Sequence, residues 1–113
     1  MPARLECVSE PQQGESFPLR PDRGNIIGRE VKCDICIRHM TVSRAHCVIR
    51  KAGQDWVVED LGSTNGTYVN GERVAESVLH GEDLLGVGKV QFRVVAYADD
   101  YRDTVPLDAR ENE

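Results

Sequence analysis

The chain has 113 residues, of which 40% are hydrophobic and 29% charged, and it carries a net charge of −5 at pH 7. That is enough apolar material for one compact core and leaves little length for anything else. No run approaches the roughly 18 apolar residues of a membrane span, and the first residues lack the apolar core of a signal peptide. The expectation is therefore a cytoplasmic protein that does not enter a membrane. A pI near 5.2 and an aromatic content of 5% argue against a groove that tracks and stacks nucleic acid. Cys7, Cys33, Cys36 and Cys47 could form two disulfides, but without a secretory signal reduced thiols are expected.

Along the chain, short apolar runs recur between turn signals, and no segment sustains a 3.6-residue apolar stripe of helical length. Strands are predicted at 5–8, 17–20, 25–27, 35–37, 46–51, 56–60, 67–69, 72–74, 83–85 and 90–97. Alternation is clearest where Ala45, Cys47 and Ile49 interleave with His46, Val48 and Arg50. Turns are expected at Gly14, Gly53-Gln54, Gly62, Asn65-Gly66, His80-Gly81 and Gly86/Gly88. In Tyr68-Val69-Asn70-Gly71-Glu72-Arg73, Asn-Gly between two β-like pairs is the signature of a two-residue type I′ hairpin. The fold class is all-β, a two-sheet sandwich. After about Ala98 the apolar rhythm stops, which divides the chain into a folded body at 1–98 and an acidic tail at 99–113.

Charge is distributed unevenly. Six acidic and two basic residues between 99 and 113 carry −4 of the total of −5, leaving −1 for residues 1–98. Between Arg20 and Lys51, eight basic residues stand against three acids, a local +5 that would attract an anion.

In a sandwich the strands are scaffold and the loops at one end carry function. Gly28-Arg29, Thr41-Val42-Ser43-Arg44 and Gly62-Ser63-Thr64-Asn65-Gly66 each fall between predicted strands. If they meet, they gather Arg29, Ser43, Arg44, Thr64 and Asn65 without an acidic member. A phosphomonoester, with nearly two negative charges and three acceptor oxygens, asks for that set of guanidinium, hydroxyl and amide donors. Taken singly, an Arg or a Ser on a loop is ordinarily a solvated surface residue. A histidine between Ala45 and Cys47 is ordinarily a satisfied packing residue, and no Ser/His/Asp spacing suggests a nucleophile. No enzyme activity and no cofactor are expected. Cys33-Asp34-Ile35-Cys36 with His39 superficially suggests half a zinc site or a redox dithiol. Four converging ligands are lacking and no βαβ pattern surrounds the pair, so no metal is expected.

Three motifs in this order, Gly28-Arg29, Ser43-Arg44-Ala45-His46 and the run from Asp60 through Gly66 to Gly71, resemble the forkhead-associated (FHA) domain. Ile26-Ile27, Asp34-Ile35-Cys36-Ile37 and Gly81-Glu82-Asp83-Leu84-Leu85-Gly86-Val87-Gly88 extend the resemblance over roughly residues 4–97. The resemblance implies an eleven-stranded sandwich that binds phosphothreonine peptides through the loops at one end and has no catalytic activity. It implies Arg29 and Ser43 as phosphate ligands, with Arg44 helping the Ser43 loop reach phosphate or peptide and Thr64 as a further phosphate-side contact. It implies that Asn65 hydrogen-bonds the peptide main chain, and that His46, Gly28, Gly66 and Asn70 brace the loops. The partner it implies is a protein phosphorylated on threonine by a Ser/Thr kinase.

The chain departs from the commonest family pattern at Arg38-His39-Met40, in the loop that helps read the position three residues after the phosphothreonine. A basic loop there favours an acidic or polar residue at that place. Thr104, with acidic residues before it, Pro106 after it and Leu107 three places on, would resemble a ligand of this same domain once phosphorylated, in cis or between molecules. The alternative function is that of an FHA-like scaffold of a secretion or assembly apparatus, which packs against partners without phosphate.

Overall fold

The computed structural model describes residues 2–96, so the acidic tail and Thr104 lie outside the described residues. Every regular element in them is a strand: β1 (Ala3–Cys7), β2 (Ser16–Pro18), β3 (Asn25–Gly28), β4 (Ile35–Cys36), β5 (Cys47–Ala52), β6 (Asp55–Asp60), β7 (Thr67–Val69), β8 (Glu72–Arg73), β9 (Glu76–Leu79), β10 (Leu84–Val87) and β11 (Val90–Ala96). They form a six-stranded sheet in the order β2-β1-β11-β10-β7-β8 and a five-stranded sheet in the order β4-β3-β5-β6-β9. All pairings are antiparallel except β3 with β4.

Period-two patterning explains why the sheets stack. Ala3, Leu5 and Cys7 of β1 face inward, as do Val90, Phe92 and Val94 of β11 and Trp56 and Val58 of β6, while the residues between them are half-buried or exposed. Leu5, Ile27, Ile49, Val58, Leu85 and Phe92 are wholly enclosed, each contributing about 1.5–3 kcal/mol relative to exposure. Phe17 on the edge strand β2 meets Phe92 edge-on, ring centroids 6.2 Å apart.

Most strand ends lie one or two residues from their expected places, as at Ala3 and Pro18, and three differences have a local reason. The strand β9 was not anticipated from the sequence: it is a short edge strand in which only Leu79 is buried, so Glu76-Ser77-Val78-Leu79 has no alternation, and its pairing with β6 defines it. β5 starts at Cys47 rather than His46, because His46 precedes the ladder and is buried whereas Ala45 is exposed. β10 starts after Asp83, whose carboxylate instead accepts the His80 amide at 2.8 Å. The Asn70-Gly71 turn has φ of 52° and 87°, positive at both positions as a type I′ hairpin requires, and Val69 pairs with Glu72 across it. No helix among the described residues is long and apolar enough to cross a membrane.

Candidate functional site

The loops following β3, β4 and β6 and the β10–β11 turn are stitched together at one end of the sandwich. The Arg29 amide donates to the Ser43 carbonyl at 3.0 Å, the Ile37 amide to the Gly28 carbonyl at 2.8 Å, and the Gly88 amide to the Gly66 carbonyl at 3.0 Å. Gly28 is where the chain runs closest to its neighbour: a Cβ there would lie 2.1 Å from the Arg44 carbonyl oxygen and 2.7 Å from the Cys33 sulfur. Gly28→Ala should therefore push the Arg44 backbone away, costing about 1–3 kcal/mol of stability. Urea denaturation checks the expectation, and an unchanged midpoint would contradict it.

Arg29 is exposed, but its Nε donates to the Val42 carbonyl at 3.0 Å. That bond fixes the guanidinium plane and leaves its terminal nitrogens with no partner among the described residues. The Ser43 hydroxyl oxygen accepts the Thr64 amide at 3.2 Å, joining the second loop to the third. Arg44 is placed beside them through its backbone, whose carbonyl accepts the Glu30 amide at 3.3 Å and the Cys33 thiol at 3.1 Å, while its side chain is exposed. Thr64 is exposed as well. No carboxylate hydrogen-bonds or ion-pairs with Arg29, Ser43 or Arg44 among the described residues, and Glu30, which follows Arg29, pairs with Lys32 at 3.6 Å.

His46, none of it exposed, sits behind these groups. Its Nδ1 accepts the Ser43 amide at 3.0 Å, and an amide can only donate; Nε2 must therefore carry the ring proton, which it donates to the Gly66 carbonyl at 2.8 Å. One neutral imidazole thus ties the Ser43 loop to the Asn65-Gly66 turn. Burial holds its pKa below the ordinary 6.5, against the smaller opposing pull of the Gly66 carbonyl and the Asp60 charge.

Asp60 organises the third loop. Its Oδ2 accepts the Gly62 amide at 3.0 Å and the Ser63 amide at 3.1 Å, and its Oδ1 accepts the hydroxyls of Ser63 at 2.6 Å and Thr67 at 2.7 Å. Burial raises its pKa, but these bonds together outweigh burial and hold it below the usual 3.8. The Ser63 hydroxyl oxygen in turn accepts the Gly66 amide at 3.0 Å. Asn65 is exposed and oriented from two sides: its Nδ2 donates to the Thr41 carbonyl at 2.9 Å, and its own carbonyl accepts the Tyr68 hydroxyl at 3.1 Å. One amide hydrogen and Oδ1 of Asn65 are left facing solvent, a donor and an acceptor side by side as an extended main chain requires.

Arg29, Ser43, Thr64, Asn65, Gly28, His46 and Gly66 are therefore gathered at one end. Asn70 is not. It lies at the far end of β7, where its amide group donates to Asp83 at 3.1 Å and accepts the Leu84 amide at 2.9 Å, so it braces the β7–β8 turn against β10. Asp60 and Thr41 were missed as organising residues. For Asp60 the signal was available, since Asp followed two and three places on by amide donors is an Asx turn. Thr41 gave none for this role, because Asn65 and Lys89, which it joins, are 24 and 48 residues away, and its local bonds to His39 point to neither. Cys33 and Cys36 donate to the carbonyls of Arg44 and Arg29, at 3.1 and 3.6 Å, and burial pushes the Cys33 thiol up. All four cysteines are free thiols, and no group of three His, Cys, Asp or Glu suited to a metal occurs among the described residues.

A β-sandwich whose loop end presents an unpaired guanidinium, a serine hydroxyl and a half-satisfied asparagine amide is an anion- and peptide-recognition domain. The FHA domain model matches residues 25–88, more than half of the chain. The chain belongs to the FHA domain family. It is 41% identical over 93 residues to the oxoglutarate dehydrogenase inhibitor of Corynebacterium jeikeium, covering 82% of this chain and 62% of that protein. It is 46% identical over 93 residues to the glycogen accumulation regulator GarA of Mycolicibacterium smegmatis, covering 82% and 57%. The match thus spans about three-fifths of the length of these relatives. Among solved structures, an FHA domain studied for phosphothreonine-dependent interactions superposes with a TM-score of 0.79 at 33% identity, covering 87% of this chain and 99% of that one.

Proposed function

We propose that residues 1–98 form a non-enzymatic, phosphothreonine-dependent recognition module that acts in the cytoplasm downstream of a Ser/Thr kinase. The observation that carries this reading is the arrangement of Arg29: its Nε is spent on the Val42 carbonyl, and its unpartnered nitrogens lie in the loop bonded directly to that of Ser43. In this reading Arg29 and Ser43 hold the phosphate, Arg44 and Thr64 add donors at its edge, and Asn65 reads the peptide main chain. His46, Gly28 and Gly66 keep the loops in place.

Beside Arg29 lies an open groove of about 700 Å³ lined by Arg29, Glu30, Val31, Arg38, His39 and Met40. Arg38 supports selection of an acidic or polar residue three places after the phosphothreonine, although the exposed Val31 and Met40 would also tolerate an aliphatic one. Thr104, once phosphorylated, is on the same reading a ligand of this domain in cis or in trans.

Calorimetry with a degenerate phosphothreonine peptide library tests the module. Binding should be micromolar, absent for the unphosphorylated library, and weaker as salt is raised, because the contacts are charge-assisted. Equal binding of both libraries would instead support a scaffold that docks without phosphate.

A further inference from the structure

A groove of about 860 Å³ begins at Thr41 and Asn65 and runs down the outer face of the six-stranded sheet. Its floor comes from a cross-strand row. Gly86 of β10 pairs with Tyr68 of β7 on one side and with Gln91 of β11 on the other, so a residue without a side chain lies between two large ones. Gly86 is buried beneath Tyr68, so closely that a Cβ there would meet the tyrosine Cβ at 3.2 Å. Leu84, 37% exposed, faces outward two residues before Gly86 at the distal end, and Lys89 stands in the β10–β11 turn at the Thr41 end. Asn65 and Tyr68 are joined by the bond from the tyrosine hydroxyl to the Asn65 carbonyl, and Thr41 and Lys89 by the bond from the Lys89 amide to the Thr41 hydroxyl oxygen. The groove and the peptide-reading amide are thus parts of one rigid surface.

Resting on the reading above, we propose that this trough is an extended subsite for the phosphothreonine-bearing partner, taking the segment that leads away from Asn65. The four residues of β10 span about 13 Å, room for about four residues of extended chain. The sheet supplies an apolar contact at Leu84 and the ring of Tyr68, and one cation, Lys89, with no carboxylate in the lining. The segment that fits is therefore extended and carries a large apolar side chain with an Asp or Glu near it. Continuity with Asn65 singles out this occupant: a chain held by that amide is delivered to the mouth of the trough without a further ordering step.

The test uses the full chain and two phosphothreonine-centred libraries, with degenerate positions reaching about three and about eight residues to either side. Peptides retained from the long library should be enriched, on one side only, in an aromatic or aliphatic residue about four to seven places from the phosphothreonine, with an acidic residue between the two. They should bind about tenfold more tightly than peptides from the short library. Leu84→Asp should erase the apolar preference with short-library binding unchanged, and Lys89→Glu, at the Thr41 end, should erase the acidic preference and weaken both libraries. Lys89 is an exposed turn residue, so its variant folds even where Leu84→Asp does not. Retained long peptides with no distal preference, or preferences that survive both substitutions, would overturn the subsite while leaving phosphothreonine recognition intact. Failure of the wild-type chain to bind the short library would overturn the reading beneath it.

Discussion

Arg29→Ala should abolish calorimetrically detectable binding of a phosphothreonine library, with an affinity loss of at least about a hundredfold, while the thermal unfolding midpoint stays where it is. The binding side follows from charge. A guanidinium fork makes two charge-assisted bonds to a phosphate, each contributing about 1.5–3 kcal/mol. The stability side follows from exposure: Arg29 is exposed, and once its side chain is removed water reaches the Val42 carbonyl that its one part-buried bond had satisfied. Arg29→Lys is the informative companion. It keeps the charge but loses both the planar fork and the Nε that fixes the plane, so most of the affinity should still be lost. Binding retained in Arg29→Ala would place the anion site elsewhere.

His46→Ala should be the most destabilising substitution at this end of the molecule, at about 2–4 kcal/mol, and should impair peptide binding as well. Removing a fully buried imidazole leaves a void, orphans the Ser43 amide and takes from the Gly66 carbonyl one of its two donors, the Gly88 amide remaining. His46→Asn, with an acceptor near the Nδ1 position and no reach to Gly66, should fall between alanine and wild type.

The ring also predicts a pH dependence. Its folded pKa lies below the unfolded 6.5, so the unfolded chain binds the proton first. The stabilisation is complete above about 6.5 and declines as pH falls through the folded value. Asp60, depressed below 3.8, keeps its contribution until the pH falls into a separate, more acidic window. Unfolding without ligand isolates the histidine, since the phosphate of a ligand itself titrates near pH 6. A wild-type stability profile that matches that of His46→Asn between pH 7 and 5 would contradict the assignment.

Strand existence was legible where side chains alternate between core and solvent, as in β1, β6 and β11, because burial on one face writes itself into the sequence with period two. The strand β9 was not, because an edge strand with one buried residue carries no such record. The same distinction runs through the site. Arg29, Ser43 and Asn65 could be singled out by chemical type and motif order, and Asn70-Gly71 by turn chemistry alone. What Asn70 touches could not, since Asp83 and Leu84 lie 13 and 14 residues on, at the start of another strand.

The amino-acid sequence by itself therefore determined the all-β class, the hairpin and the inventory of donors, all of which depend on residue type and short-range spacing. Tertiary structure alone decided which donors are free and which are committed. Arg29 is pinned through Nε by a carbonyl 13 residues on, and Asn65 by one 24 residues back. His46 is neutral and bridging because two backbone groups, from positions 43 and 66, meet its ring. Gly86 is a floor only because Tyr68 and Gln91 pair on either side of it. Hydrogen-bond direction and cross-strand register are properties of approach between distant segments, and local composition does not encode them.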